Sequence, residues 1–180
     1  MLIEKRALEG GLIPVNSKKE CFGLLSWGQI SDVVVDPSTG RIWAVGHYRE
    51  SGSPFHSVIV MLDGGLREFK AIDYAKDSRG YLDWLYGIAF DGRHVYVSGR
   101  DGVAKFTVDG ELVAIYKDYK PRYKIVYGYG YIYIFGVDYI GSYWRHVLEI
   151  FDTNLNLVKR YVLSENVDAT SGFYIGRPAL

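Results

Sequence analysis

Four histidines, His47, His56, His94 and His146, are the side chains in this sequence best suited to acid–base or metal chemistry near neutral pH. No two of them stand at a spacing that sets a metal-ligand pair on one strand or helix. His94 falls in a hairpin turn. His47, His56 and His146 fall near the same face, where with Asp83, Asp138 or Glu50 they could form an acid–base or metal site. The plainer reading is that they are histidines at loop ends. Asp152-Thr-Asn154-Leu-Asn156 copies the first half of a calcium loop, but Leu157 and Leu163 stand where that loop needs glycine and glutamate. Asp and Asn are also the ordinary residues of turns, so a turn is expected there and no metal or cofactor.

Lys117-Asp-Tyr-Lys120-Pro-Arg122-Tyr-Lys124 interleaves basic residues with aromatics, the combination that grips single-stranded nucleic acid. Lysine and arginine total 21 and aspartate and glutamate total 21, so no overall field draws in a polyanion, and a solvated loop is the expectation. Nucleophile motifs are missing: there is no Gly-x-Ser-x-Gly, no phosphate-cradling glycine loop and no dinucleotide fingerprint. No catalytic residue is assigned. Asp32 in the first of the innermost strands is a candidate inward acid, whereas the later repeats have Gly87 and Ile125 near that place.

With 180 residues and a hydrophobic fraction of 48%, the chain is long enough for one domain with a substantial core, spanning 1–180. One cysteine, Cys21, excludes an internal disulfide framework. Glu4, Lys5, Arg6 and Glu9 interrupt any leader-like apolar run, and no segment approaches the length of a membrane span. A cytoplasmic protein is expected. Scarce Asn, Cys and Met, with Gln29 the only glutamine, point mildly to a thermophilic source.

The elements that must position these residues are written in a repeat. Ile42-Trp43-Ala44-Val45-Gly46, Val95-Tyr96-Val97-Ser98-Gly99 and Ile132-Tyr133-Ile134-Phe135-Gly136 share one pattern, and their glycines stand 53 and 37 residues apart. Each segment follows a tight turn and an earlier apolar run. Each precedes a third run ending at Asp63, Asp109 or Asp152, and a fourth opening at Leu66, Leu112 or Leu157. Four strands per unit at such a period is the signature of a β-propeller, so the fold expected is all-β with antiparallel four-stranded blades.

Naming the strands a to d from the inside out, the first unit reads Ile30 to Asp36, Arg41 to Gly46, Ser57 to Asp63 and Leu66 to Ile72. The second reads Tyr86 to Asp91, His94 to Gly99, Val103 to Val108 and Glu111 to Tyr116. The third reads Tyr123 to Tyr127, Tyr131 to Gly136, His146 to Phe151 and Leu157 to Leu163. Leu2 to Leu8 and Leu12 to Val15 read as strands c and d of an earlier unit, and Gly172 to Gly176 as strand a of a later one. Three complete blades and a split fourth allow a four-bladed ring, a half-propeller completed by a second copy, or part of a larger propeller. The last two are favoured, because few wedge-shaped blades close a ring.

Tyr86-Gly-Ile-Ala-Phe-Asp91-Gly-Arg-His-Val-Tyr-Val97, followed by Val103-Ala-Lys-Phe-Thr-Val-Asp109-Gly-Glu-Leu, resembles the NHL-like and YVTN-like propeller repeats. The Trp-Asp pairs of WD repeats and the paired glycines of kelch repeats are absent. The resemblance implies a binding platform first, and second a metal-dependent hydrolase of the propeller lactonase kind.

The a–b and c–d turns are short throughout, whereas the b–c and d–a connections vary. From strand-b glycine to strand-c Asp the count is 17, 10 and 16 residues. His47 to His56 and Val137 to Arg145 read as long b–c loops, and Asp73 to Leu85 as a long d–a loop. In up-and-down blades these connections leave on one side, and loops carry function more often than strands. His47, Arg49, Trp84, Arg100, Tyr143 and Trp144 are the ligand- or partner-binding candidates there, being the residue types of binding hot spots. The plainer reading is that the aromatics cap the blades. A non-enzymatic module meeting a protein partner or a small molecule is expected, with self-association as a route to closing the propeller.

Overall fold

A computed structural model describes residues 3–7, 13–18, 27–49, 55–65, 67–73, 82, 84–140 and 143–167. These residues form strands and no helix, and the strands pair into one hairpin and three antiparallel four-stranded sheets. The fold is all-β, of propeller-type blades. β1 (Ile3–Ala7) pairs with β2 (Ile13–Lys18). Blade I holds β3 (Trp27–Val35), β4 (Ile42–Arg49), β5 (Phe55–Leu62) and β6 (Glu68–Asp73) in that order. Blade II holds β7 (Leu85–Phe90), β8 (His94–Gly99), β9 (Gly102–Thr107) and β10 (Leu112–Lys117). Blade III holds β11 (Arg122–Gly128), β12 (Tyr131–Ile140), β13 (Tyr143–Phe151) and β14 (Leu157–Val167). The expected strand a at 172–176 lies outside the described residues.

The recurrent glycine has a steric cause. In each blade strand a carries a bulge directly beside it: the register shifts between Ile30 and Asp32, between Leu85 and Gly87, and between Arg122 and Lys124. The residues before the shifts pair with Gly46, Gly99 and Gly136. A bulge bends its strand and increases the local twist. A Cβ on Gly46 would stand 2.1 Å from the Gln29 carbonyl oxygen, and one on Gly136 would stand 2.5 Å from that of Pro121.

Blades stack with one polarity. Trp43, Val45, Ile59 and Met61 of blade I pack on Ile88, Val95, Val97, Ala104 and Phe106 of blade II. The reverse face of blade II, with Tyr96 and Val103, packs on Ile125, Ile132, Ile134 and Phe151 of blade III. Period-two alternation sends odd and even residues of each strand to opposite neighbours. Trp43 and Tyr96, which hold one place in the repeat, therefore point toward the blade that follows, and Tyr133 holds the same place on the face of blade III turned away from blade II.

The turns define the two sides of the molecule. Arg41 in the first a–b turn donates to Asp109 Oδ1 at 3.0 Å in the second c–d turn. Lys105 Nζ donates to the Thr153 carbonyl at 2.8 Å in the third c–d turn. The a–b and c–d turns of neighbouring blades therefore meet on one side, and the b–c and d–a connections leave from the other. Asp152 accepts the Asn154 and Asn156 backbone N–H groups at 2.8 and 2.9 Å, as the turn reading of that segment requires.

The expected long b–c loops are in large part strand. β4 and β5 stay paired to Arg49 and Phe55, and β12 and β13 to Ile140 and Tyr143. Aromatic and β-branched residues suit a pleated ladder, so the extra length is absorbed by lengthening both partners without changing register. No helix among the described residues is long and apolar enough to cross a membrane.

Candidate functional site

Two groups of side chains occupy the side from which the b–c and d–a connections leave. The first lies at the junction of blades I and II. His47, on the face of β4 turned to blade II, is buried, and its ring centre lies 5.0 Å from that of Trp84. Trp84 precedes β7 with φ of 48°, a left-handed conformation that costs a non-glycine residue about 1–3 kcal/mol. Buried Leu82 and Leu85 fix the backbone on either side of it. Arg49 lies at the end of β4, and Arg100 is exposed in the β8–β9 turn.

The second group lies at the junction of blades II and III. Tyr86 and Tyr123 are the extra residues of their bulges, and their rings approach to 5.1 Å. At the same end of blade III, but on the face turned away from blade II, Tyr139 and Trp144 are directly opposed across β12 and β13 and meet edge-on at 4.4 Å. Tyr143 is 56% exposed and projects to the opposite face of β13 from Trp144. Burial raises the Tyr123 hydroxyl above its ordinary pKa, with a smaller contribution from Tyr139.

The face of blade III turned to blade II carries a charge network the sequence reading did not assemble. Arg122 is 1% exposed; its Nε donates to Glu149 Oε2 at 2.9 Å and its Nη2 to Asp118 Oδ2 at 2.7 Å. The Tyr116 ring lies 5.6 Å from the same guanidinium. Asp138 receives Lys120 Nζ at 2.9 Å and pairs with Arg160, while Arg145 Nη2 stands 3.7 Å away. Burial works against the Asp138 carboxylate, but hydrogen bonds and charge from Lys120 and Arg160 outweigh it, and its pKa lies below the ordinary range. For Glu149 burial prevails over Arg122 and Arg160, and its pKa is raised. Four cations meet three carboxylates. The signal in the sequence is Glu149, a lone charge between the apolar neighbours Leu148 and Ile150.

The basic segment expected as a solvated loop is therefore internally paired. Lys117 reaches Asp101 at 3.5 Å, Lys120 and Arg122 enter the network, and Lys124 Nζ lies 3.0 Å from Asp32 Oδ2. Asp32 faces inward as expected, where the innermost strands β3, β7 and β11 adjoin. Its Oδ2 also accepts the Ile88 N–H at 3.3 Å, so the carboxylate ties all three blades together.

The histidines do not converge. His47 meets Trp84, His56 stacks on Tyr48 at 4.8 Å, His94 stands 3.5 Å from Asp91, and His146 Nδ1 lies 2.8 Å from Ser164 Oγ. Glu50 and Asp83 lie outside the described residues. Among the described residues no three His, Cys, Asp or Glu side chains are placed to hold a metal ion.

No protein-family model matches the chain, and no curated protein matches it. Among solved structures it is similar to a mutant of a Synechocystis apocarotenoid oxygenase, at 9% sequence identity and a TM-score of 0.47. The match covers 85% of this chain and 43% of that one, so the chain spans less than half the length of that protein.

Proposed function

We propose that this chain is a non-enzymatic binding or assembly module of the NHL-like and YVTN-like kind, which meets a protein partner or a small molecule on its b–c/d–a side. The observation that carries this reading is the aromatic surface there: Tyr119, Tyr123, Tyr139 and Tyr143 are 41–77% exposed, beside the half-buried Trp84 and Trp144. Rigid rings with polar edges supply contact area at little conformational cost. The paired charges on the face turned to blade II leave Lys120, Arg145 and Arg160 part-exposed at the rim. A cytoplasmic setting and a thermophilic source belong to the same proposal.

The alternative, a metal-dependent hydrolase of the propeller lactonase kind, needs an inward carboxylate open to a metal. Asp32 is instead engaged by Lys124 and by backbone N–H groups. Calorimetric titration with Ca²⁺, Mg²⁺ and Zn²⁺, in parallel with a fragment screen, separates the two. The binding-module reading expects no metal heat and fragment hits that weaken on Trp144→Ala. Stoichiometric metal binding lost in Asp32→Asn would establish the hydrolase reading instead.

A further inference from the structure

The contact between blades II and III carries charge at places where the contact between blades I and II has none. Leu85, Ala104 and Ile115 of blade II hold the register places of Arg122, Glu149 and Arg160 in blade III. Leu85 and Ala104 are fully buried, so this face of the repeat closes on its neighbour without charge there. Taking Arg122 and Glu149 out of water costs desolvation that their pairing must offset. The repeat folds without these charges, and what they do shows at their solvent edge.

Three cationic heads surround one sheltered carboxylate at that edge. Lys120 Nζ lies 2.9 Å from Asp138 Oδ1, Arg160 pairs with Oδ2, and Arg145 Nη2 stands 3.7 Å from Oδ2. The Asp138 side chain is 5% exposed and the three cations are 28–33% exposed, so the outward side of the cluster is positive. Asp118 and Glu149 are engaged by Arg122 from within, with Lys120 3.8 Å from Asp118 and Arg160 Nε 3.4 Å from Glu149. Burial raises the Glu149 pKa, which adds to the excess of cations over carboxylates. Arg145 is the least committed of the cations. Its 3.7 Å separation from Asp138 is too long for a hydrogen bond, and its buried Nε has no hydrogen-bond partner. A guanidinium offers a planar fork of donors that matches the paired oxygens of a carboxylate or phosphate. We propose that Lys120, Arg145 and Arg160 bind the carboxylate or phosphate group of a small molecule at the loop-side mouth of the contact between blades II and III. This site rests on the loop-side binding reading and narrows its ligand to one that bears an oxyanion.

The probes are benzoate, phenyl phosphate and the neutral benzamide, titrated into the ¹⁵N-labelled chain at low salt. At least one of the two anions is expected to shift Lys120, Arg145 and Arg160 and to bind more tightly than benzamide, with an affinity that falls as salt is raised. The tighter anion tells whether a carboxylate or a phosphate ester is preferred, and either supports the site. Arg145→Gln is expected to weaken that anion by about tenfold or more, the loss of a charge-assisted hydrogen bond. Its melting temperature is expected to be unchanged, because Arg145 makes no hydrogen bond to Asp138. Lys120→Gln is expected to weaken the anion in the same sense, and Arg93→Gln, exposed in the β7–β8 turn on the other side, to change nothing. Benzamide held as tightly as both anions, or anion binding unchanged in Arg145→Gln and Lys120→Gln, overturns the site. Fragment hits that weaken on Trp144→Ala then leave the loop-side reading standing. Failure of all three probes to bind overturns the site as well.

Discussion

Trp43 and Trp144 are the clearest test of which aromatics are core and which are surface. Trp43 is 1% exposed in the contact between blades I and II, whereas Trp144 is half-buried and leans on exposed Tyr139. Trp43→Ala is expected to cost about 3–5 kcal/mol of stability, the range for a fully buried tryptophan. Trp144→Ala is expected to lose chiefly its ring pair, about 0.5–1.5 kcal/mol. Denaturant melts of the two variants measure both. A loss at Trp144 as large as that at Trp43 would place it in the core and remove it from the recognition surface. The turn aspartates make a second residue-scale prediction. Hydrogen bonds from the Thr39 and Ser38 hydroxyls hold Asp36 down to about 2, and the Asn156 side chain and N–H hold Asp152 below its ordinary value. A carboxyl depressed in the folded state adds stability that is complete above its unfolded pKa, about 3.9, and is lost as the pH falls through the folded value. The melting temperature should therefore hold between about pH 7 and 5 and fall below about pH 4, with Asp36→Ala showing a shallower fall. Glu149, with a raised pKa, acts in the opposite sense: its contribution is complete at low pH and fades as the pH rises through its folded value.

At the scale of the element, the strands were legible because their alternation and turn residues agree. β8 runs from His94 to Gly99, as read from the sequence, and most other strands differ by a few residues at their ends. The repeated glycine was legible as a motif but not as a cause, because the bulge opposite it lies in strand a, where Tyr86 and Tyr123 read as ordinary strand residues. The long hairpins were misread for a related reason: His47, Arg49, Tyr143 and Trp144 are types that signal a binding loop and also suit a strand. The charge network escaped because Arg122, Asp138, Glu149 and Arg160 come from four different strands, and only pairing brings them together. The glycine account is testable. Gly46→Ala drives a Cβ onto a backbone oxygen and is expected to cost about 1–3 kcal/mol, as overpacking does. Gly128→Ala meets only an ordinary contact with Tyr133 at 3.9 Å and is expected to be tolerated. Equal effects in thermal melts would remove the steric explanation.

The whole molecule divides its labour between two sides. The turn side is fastened by Asp-centred turns and by Arg41, Lys70 and Lys105 reaching from blade to blade. The opposite side carries the aromatic surface and the buried charges, and the Asp32–Lys124 pair holds the innermost strands together between the two sides. One residue makes the division measurable. Tyr129 is 98% exposed but lies on the turn side, so it samples exposed aromatic surface without the surroundings of the other rings. The most direct test is to map bound fragments on the ¹⁵N-labelled chain by chemical-shift perturbation. The account predicts shifts concentrated at residues 117–123 and 137–146 and around Trp84, with Tyr129 and its neighbours unmoved. Shifts centred on Tyr129 and the c–d turns, with the β12–β13 hairpin silent, would contradict it.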